Sequence, residues 1–202
     1  MKHSKFFDNL AEKWDAMERE DIGRRLSRVV AEAAVHPGQH ILDVGTGTGV
    51  LIPYLLEAMQ EEGHILAIDI SSGMLEVAGR KAFPANVDFL QADIAESGLP
   101  ENRYDRIFCN AVFPHFTDKS KALSEIRRLL KPGGRLVISH PIGREAVNSL
   151  HQGAGEVVAE DRVPPAQVMI SLLEAVQECL MYWLSMNRIF IWCLLINRLA
   201  GS

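Results

Sequence analysis

The chain has 202 residues and carries 21 Lys and Arg against 26 Asp and Glu, which gives a net charge of −5. Hydrophobic residues make up 48% and charged residues 23%, the balance of one globular domain with a sizeable core. The acidic balance argues against nucleic acid as a partner, because such binders usually carry a basic face. The three cysteines are widely spaced, which predicts a reducing compartment without disulfides. With no apolar signal-peptide core near the N-terminus, we expect a cytoplasmic protein.

Two amphipathic helices are predicted before the first strand. Apolar residues recur at helical spacing in two runs, from Phe6 to Met17 and from Ile22 to Ala33. The sequence His36-Pro37-Gly38 ends the second helix. His36 and His40 are four residues apart, but they flank a Pro-Gly turn and have no third ligand nearby. We therefore expect no metal site in this protein.

A glycine-rich turn at residues 45–49 is the clearest motif of the chain. It follows a short apolar strand, Ile41 to Val44, which carries the acidic Asp43, and it precedes a helical pattern that runs to Met59. Gly45, Gly47 and Gly49 permit positive φ and the close approach of a ligand. The next helix begins with unpaired N–H groups and a partial positive charge. A polar or anionic part of a ligand is therefore predicted to lie over this turn.

The spacing of these glycines differs from the dinucleotide fingerprint G-x-G-x-x-G, because the third glycine comes one position too early. Strand two, His64 to Asp69, ends in an acid twenty residues after Gly49. A carboxylate at that place can accept hydrogen bonds from both hydroxyls of a ribose, with Ile70 beside the base. Asp69 thus supports a nucleoside-containing cofactor without distinguishing the adenosyl group of S-adenosylmethionine (SAM) from NAD. Ser71 is a suitable N-cap for the following helix.

Three further strands are predicted at residues 86–91, 104–110 and 135–140, with a helix from Asp118 to Leu130 before the last. Strands that alternate with helices predict a doubly wound, mainly parallel sheet. Ligands bind at the carboxyl ends of such strands, where the strand order reverses. The glycine turn, Asp69, Asp93 and Asn110 all fall at these ends, which favours a single site.

Four stretches resemble the class I SAM-dependent methyltransferases, including the ubiquinone and menaquinone biosynthesis group. The sequence D-V-G-T-G-T-G at residues 43–49 resembles their first motif, and L-L-K-P-G-G-R-L-V-I at residues 129–138 is similar to a second. The acids at Asp69 and Asp93 occupy the matching positions between them. The resemblance covers about residues 6–141 and implies a seven-strand α/β fold of the Rossmann-like type.

The resemblance implies SAM as the cofactor, S-adenosylhomocysteine (SAH) as the product and a small organic molecule as the acceptor. Asp93 would meet the adenine amino group, and Trp14 would belong to a segment that folds over the cofactor. The expected cofactor-binding residues are Trp14, Asp43, Gly45, Thr46, Gly47, Gly49, Asp69, Ile70, Met74, Asp93, Ile94 and Asn110.

His115 and His140 follow strands four and five and are the candidate catalytic residues. Methyl transfer mainly requires alignment of the nucleophile with the methyl group, together with a base that removes the nucleophile's proton. Histidine titrates near neutral pH and could be that base, or it could be a structural hydrogen-bonding residue. His151 and Glu145 are weaker candidates.

Residues 177–202 depart from the resemblance, which predicts two closing antiparallel strands. Apolar alternation is poor in this segment and turn residues are absent. A buried helix or strand, a transmembrane helix and a shift of reading frame near Val176 are the alternatives. A transmembrane helix would place Arg188 at mid-span at a cost of about 3 kcal/mol. An apolar segment of this kind could also join two chains into a homodimer.

The sequence therefore predicts one methyltransferase domain over residues 1–202. It would consist of N-terminal helices and lid (1–36), a cofactor-binding core (39–141), a substrate loop (142–165) and an atypical C-terminal segment (166–202). The expected function is methyl transfer from SAM to a small acceptor. An NAD(P)-linked oxidoreductase and a non-catalytic SAM-binding protein are the alternatives.

Overall fold

A computed structural model describes residues 2–17, 20–60, 62–175, 179–186 and 189–196, the last two ranges by their backbone. The helices are α1 (Lys2–Trp14), α2 (Ile22–Glu32), α3 (Ile52–Met59), α4 (Ser72–Gly79), α5 (Lys119–Leu129), α6 (Arg144–Gly153) and α7 (Ala166–Glu174). The strands are β1 (His40–Val44), β2 (His64–Asp69), β3 (Val87–Gln91), β4 (Tyr104–Asn110), β5 (Leu130–His140), β6 (Cys179–Met186) and β7 (Ile189–Ile196).

The strands form one seven-stranded sheet in the order β3-β2-β1-β4-β5-β7-β6. The first five strands are parallel, and β7 and β6 complete the sheet as antiparallel strands. The chain order reverses between β1 and β4, which is the place where an open α/β sheet binds its ligands. The predicted doubly wound sheet is confirmed.

Apolar residues on both faces of the sheet form two cores. Ile41 belongs to a cluster with α2 and α3, whereas Leu42 and Val44 belong to a cluster with α5 and α7. This division follows from the twofold alternation of side chains along a strand. The predicted helix before β5 is confirmed as α5, which buries Leu123 and Ile126. Ser71 caps α4 as expected, because its hydroxyl accepts a hydrogen bond from the Met74 N–H.

The turn at Lys131–Gly134 lies inside β5 and does not precede it. Tyr104 pairs with Leu130 and Arg106 pairs with Arg135, so β5 has extra residues opposite Asp105 and the register shifts there. Gly133 has φ +77°, a backbone conformation that suits glycine. The turn is thus a bulge between two paired parts of one strand.

The segment predicted as a substrate loop, residues 142–165, contains the helix α6. Val147 and His151 are the buried residues of that helix. Three glycines and a mixed polar pattern conceal the helical period in the sequence. The irregular part of the segment is therefore confined to the residues around α6, and its role as a lid or substrate loop stays a prediction.

The C-terminal strands β6 and β7 form a hairpin whose inner strand, β7, pairs with β5. The resemblance therefore predicted the sheet correctly where the local pattern did not, and the helical alternatives are wrong for residues 179–186 and 189–196. Among the described residues, no helix is long and apolar enough to cross a membrane. The structure does not test the reading-frame hypothesis, and Val176 and Arg188 lie outside the described residues.

Candidate functional site

The glycine turn lies at the carboxyl end of β1 and has the backbone that its sequence predicts. Gly45, Gly47 and Gly49 have φ values of +65°, +58° and +79°. A Cβ at Gly45 would lie 2.2 Å from Val112 Cγ2, directly after β4. The first glycine thus lets the turn pack closely against the neighbouring strand end.

Gly47 faces open space instead. A Cβ built there has a single neighbour within 4 Å, the Trp14 indole nitrogen at 4.0 Å. The Gly47 N–H donates a 2.8 Å hydrogen bond to Asp69 Oδ2. The glycine turn and the end of β2 therefore form one unit, with room for a ligand beside the turn.

Asp69 is held in place by backbone donors on both carboxylate oxygens. Oδ2 accepts from Gly47, and Oδ1 accepts from the Ser71 N–H at 2.9 Å. The side chain is buried. Burial raises the pKa of Asp69, and the backbone hydrogen bonds oppose that shift. Each oxygen keeps further acceptor capacity, so the predicted contact with ribose hydroxyls is chemically available.

Asp43 lies below the turn and is fully buried in β1. Its Oδ2 accepts a 2.7 Å hydrogen bond from the Thr46 hydroxyl. Loss of hydration raises the pKa of Asp43 to about 7, with the charge of Asp69 adding to the effect. Binding of a cationic ligand such as a sulfonium would favour the ionised form.

The other predicted cofactor residues are distributed along the same edge of the sheet. Asp93 is exposed, and its carboxylate accepts from the Ala95 N–H, so it caps a short 3-10 helix, Ile94–Glu96. Met74 and Ile94 are buried in the core. Ile70 is partly buried. At the end of β4, Asn110 Oδ1 accepts a 2.8 Å hydrogen bond from Ser139 at the end of β5.

Helix α1 covers this edge of the sheet. Asp8 Oδ1 accepts hydrogen bonds from the Ser71 hydroxyl at 2.6 Å and from the Gly73 N–H at 3.0 Å. At the far end of α1, Asp15 accepts from the Thr48 hydroxyl in the glycine turn. Trp14 is partly buried near Gly47. The N-terminal segment is thus bound to both motifs that it covers.

A cluster of histidines around one carboxylate lies beside this edge, after β4. His115 Nδ1 and His3 Nε2 each lie 2.7 Å from Asp161 Oδ2. The ring of His151 lies 4.8 Å from that of His115, and its Nδ1 contacts the Asp161 carbonyl. Burial lowers the pKa of His115, and the hydrogen bond to Asp161 opposes that effect. Burial raises the pKa of Asp161, but the hydrogen bonds from His115 and His3 outweigh it, so the pKa is lowered.

His140, the second catalytic candidate, ends β5 and is fully buried. Loss of hydration and then the charges of His115 and His151 lower its pKa to about 3. Its Nδ1 has no hydrogen-bond partner among the described residues. His140 is therefore neutral near physiological pH.

Comparison with known proteins shows which family has this arrangement. The model of the family described as "Methyltransferase domain" matches residues 35–182, which include the glycine turn, Asp69, Asp93 and Asn110. The chain belongs to this methyltransferase family. Its cofactor is accordingly SAM.

A curated relative of this methyltransferase is the ubiquinone/menaquinone biosynthesis C-methyltransferase UbiE of Vibrio cholerae. The two are 36% identical over 145 residues, which cover 68% of this chain and 56% of UbiE. The chain thus spans just over half the length of the curated relative that it matches.

Solved structures support the same fold. A SAM-dependent methyltransferase from Aquifex aeolicus superposes with a TM-score of 0.74 at 26% identity, over 92% of this chain and 98% of that one. A chain from the complex between the Haloferax volcanii Trm112 methyltransferase activator and a methyltransferase superposes with a TM-score of 0.80. It is 18% identical and covers 95% of this chain and 98% of that chain, which shows the shared fold.

The structure also brings in residues that the sequence did not indicate. Asp8 and Asp15 bind the N-terminal segment to α4 and to the glycine turn, and Asp161 joins His3 to His115. His3 and Asp161 are 158 positions apart, so no local spacing could have linked them.

Proposed function

We propose that this methyltransferase transfers the methyl group of SAM to a small organic acceptor and releases SAH. The observation that supports the proposal best is the direct link between the glycine turn and Asp69. Gly47 donates to the same carboxylate that would accept the ribose hydroxyls, at the point where the strand order reverses. The nucleoside of SAM would bind at Asp69, and its charged methionine part would bind at the glycine turn.

In this proposal, different cofactor residues bind different parts of SAM. The backbone of Gly45, Thr46, Gly47 and Gly49, with Asp43 beneath it, would receive the methionine part. Asp69 would bind the ribose, and Asp93 the adenine amino group. Ile70, Met74 and Ile94 would pack around the adenine, and Asn110 would face the reacting centre from β4. Trp14 would cover the ligand from the lid.

The acceptor would bind beside His115, where α1 meets the segment after β5. Its nucleophilic atom must lie in line with the methyl group, so positioning accounts for most of the catalysis. His115 is the candidate that meets the acceptor. His140, being buried and neutral, would shape the floor of this region.

Calorimetric titration with SAH beside NADH tests the cofactor. We expect SAH to bind and NADH not to bind. Asp69→Asn should lower the affinity for SAH by at least about tenfold, since one acceptor oxygen of the carboxylate is replaced by a donor NH₂ group. Asp88→Asn is the matched control, because Asp88 is an exposed acid on β3 that pairs with His64. Binding of NADH with no binding of SAH would contradict the proposal.

The homodimer and the cytoplasmic location stay predictions. The dimer proposal rests on β6, the outer strand of the sheet, whose sequence Cys179–Leu184 is largely apolar. An edge strand offers unpaired N–H and C=O groups to a second chain. Light scattering should then give twice the 22.5 kDa mass of one chain, and a monomer at all concentrations would exclude the dimer.

A further inference from the structure

We propose that His3, His115 and Asp161 bind a divalent transition-metal ion of the zinc class beside the SAM site. Binding of the ion does not depend on methyl transfer. Its placement on the acceptor side rests on the proposed function.

The three side chains already converge as a ligand set. One nitrogen of each histidine and one carboxylate oxygen of Asp161 all lie within 4.8 Å of one another. Both nitrogens are 2.7 Å from the same oxygen. Metal–ligand distances near 2.0–2.2 Å separate ligand atoms by roughly 3–3.5 Å in a tetrahedral site, so small side-chain adjustments would admit an ion.

The surroundings of this cluster provide a second, independent observation. His140 is fully buried, and its Nδ1 has no hydrogen-bond partner among the described residues. A buried nitrogen of this kind usually has a partner. The ring of His151 lies 4.8 Å from the ring of His115, at a tilt of 44°. Four imidazoles thus share one region with a single carboxylate, which is more nitrogen than one salt bridge requires.

The donor set determines the class of ion. Imidazole nitrogen with one carboxylate suits Zn²⁺, Fe²⁺ and Co²⁺, whereas Mg²⁺ and Ca²⁺ prefer oxygen ligands. Three protein ligands leave a coordination position open, as in catalytic sites. The ligand for that position would be the thiol or hydroxyl of the acceptor, whose proton becomes more acidic on the metal.

The three ligands come from separate parts of the chain. His3 lies in the first turn of α1, His115 follows β4, and Asp161 follows α6. An ion would join the lid, the sheet and the segment after β5 at one point. The sequence expectation of no metal rested on His36 and His40 and could not detect this set.

The test uses the full chain without a histidine tag, because a tag would compete for the ion. Zn²⁺ binding is measured by calorimetry with a chelator as competitor, and Co²⁺ binding by its visible spectrum. We expect one ion per chain. His115→Ala and Asp161→Ala should each weaken binding by at least about 100-fold, and Mg²⁺ should not compete. His64→Ala is the matched control. His64 also pairs with an aspartate, Asp88, at 2.9 Å, but it belongs to no three-ligand group among the described residues.

Two results would overturn the proposal: no ion bound by the wild type, or Zn²⁺ affinity unchanged within twofold in both cluster variants. The cluster would then be an ordinary hydrogen-bonded His–Asp–His group. Thermal unfolding identifies a variant that fails to fold, and the milder Asp161→Asn then replaces it. SAH titration separates the two proposals. The Asp161→Asn variant should lose ion binding and keep SAH binding, whereas the Asp69→Asn variant should lose SAH binding and keep ion binding.

Discussion

The Asp8 carboxylate accepts a 2.6 Å hydrogen bond from the Ser71 hydroxyl, which itself caps helix α4. One side chain of α1 is therefore bound to the start of the helix that follows Asp69. The hydrogen bonds from Ser71 and then from Gly73 lower the pKa of Asp8. Because the folded-state pKa is depressed, the stability that this contact contributes is present above about pH 4 and is lost as the pH falls below that value.

Replacing Asp8 by Ala should loosen the attachment of α1 to α4. Loss of a charged acceptor at a half-exposed place costs about 1 kcal/mol, so the Kd for SAH should rise about fivefold. Hydrogen exchange of α1 should become faster in the same variant. Asp88→Ala removes an exposed acid on β3 and should change neither quantity. Unchanged exchange of α1 in Asp8→Ala would show that other contacts hold the helix.

Gly45→Ala should destabilise the protein by about 2–4 kcal/mol, because the methyl group overlaps Val112 and the residue keeps a positive φ. Gly98→Ala isolates the effect of φ. That glycine has φ +64° and a Cβ there would meet nothing within 4 Å, so Gly98→Ala should lower the free energy of unfolding by about 1 kcal/mol. Combining Gly45→Ala with Val112→Gly should recover part of the stability in urea unfolding. Strict additivity of the two changes would contradict the predicted overlap.

Gly47→Ala should act on binding more than on folding. The added methyl group meets little in the protein, so the loss of stability should match that of Gly98→Ala, about 1 kcal/mol. It would stand where the cofactor passes the turn, and the Kd for SAH should rise at least about tenfold. Calorimetry and thermal unfolding of both variants measure the two effects. Equal SAH affinities in the two variants would place the cofactor elsewhere.

Asp43→Asn should stabilise the ligand-free protein at high pH. The folded-state pKa of Asp43 is about 7 against the ordinary 3.8. A raised acid pKa means that stability falls as the pH rises from about 4 to about 7 and stays low above that range. Asparagine avoids this loss, which is on the order of a few kcal/mol. The melting temperature of Asp43→Asn should exceed that of the wild type at pH 8 but not at pH 4. A wild type that is more stable than the variant at pH 8 would refute this prediction.

The sequence was sufficient for the parallel half of the fold because its signals are local. The strand at Ile41 to Val44 is a short apolar run, and Ser71 marks a helix start by its chemistry alone. The position of the glycine turn at a strand end could be predicted for the same reason. Strand ends that are close in a parallel sheet can be recognised from the order of elements.

The remainder depended on contacts between distant parts of the chain. His3 and Asp161 meet only when α1 folds over the sheet, and Asp8 finds Ser71 across 63 positions. Helix α6 was missed because Gly143 and Gly153 flank a polar pattern that resembles a loop. The hairpin of β6 and β7 followed from the family resemblance and not from the local pattern, because hydrophobic residues without alternation do not distinguish a strand from a helix.

The position of β7 between β5 and β6 has a consequence for biogenesis. Strand β6 leaves the ribosome before β7, yet it has no place in the sheet until β7 has paired with β5. The sheet therefore cannot grow strand by strand in the order of translation. Its last two strands must dock together, and until then β5 exposes an unpaired edge that invites association between nascent chains.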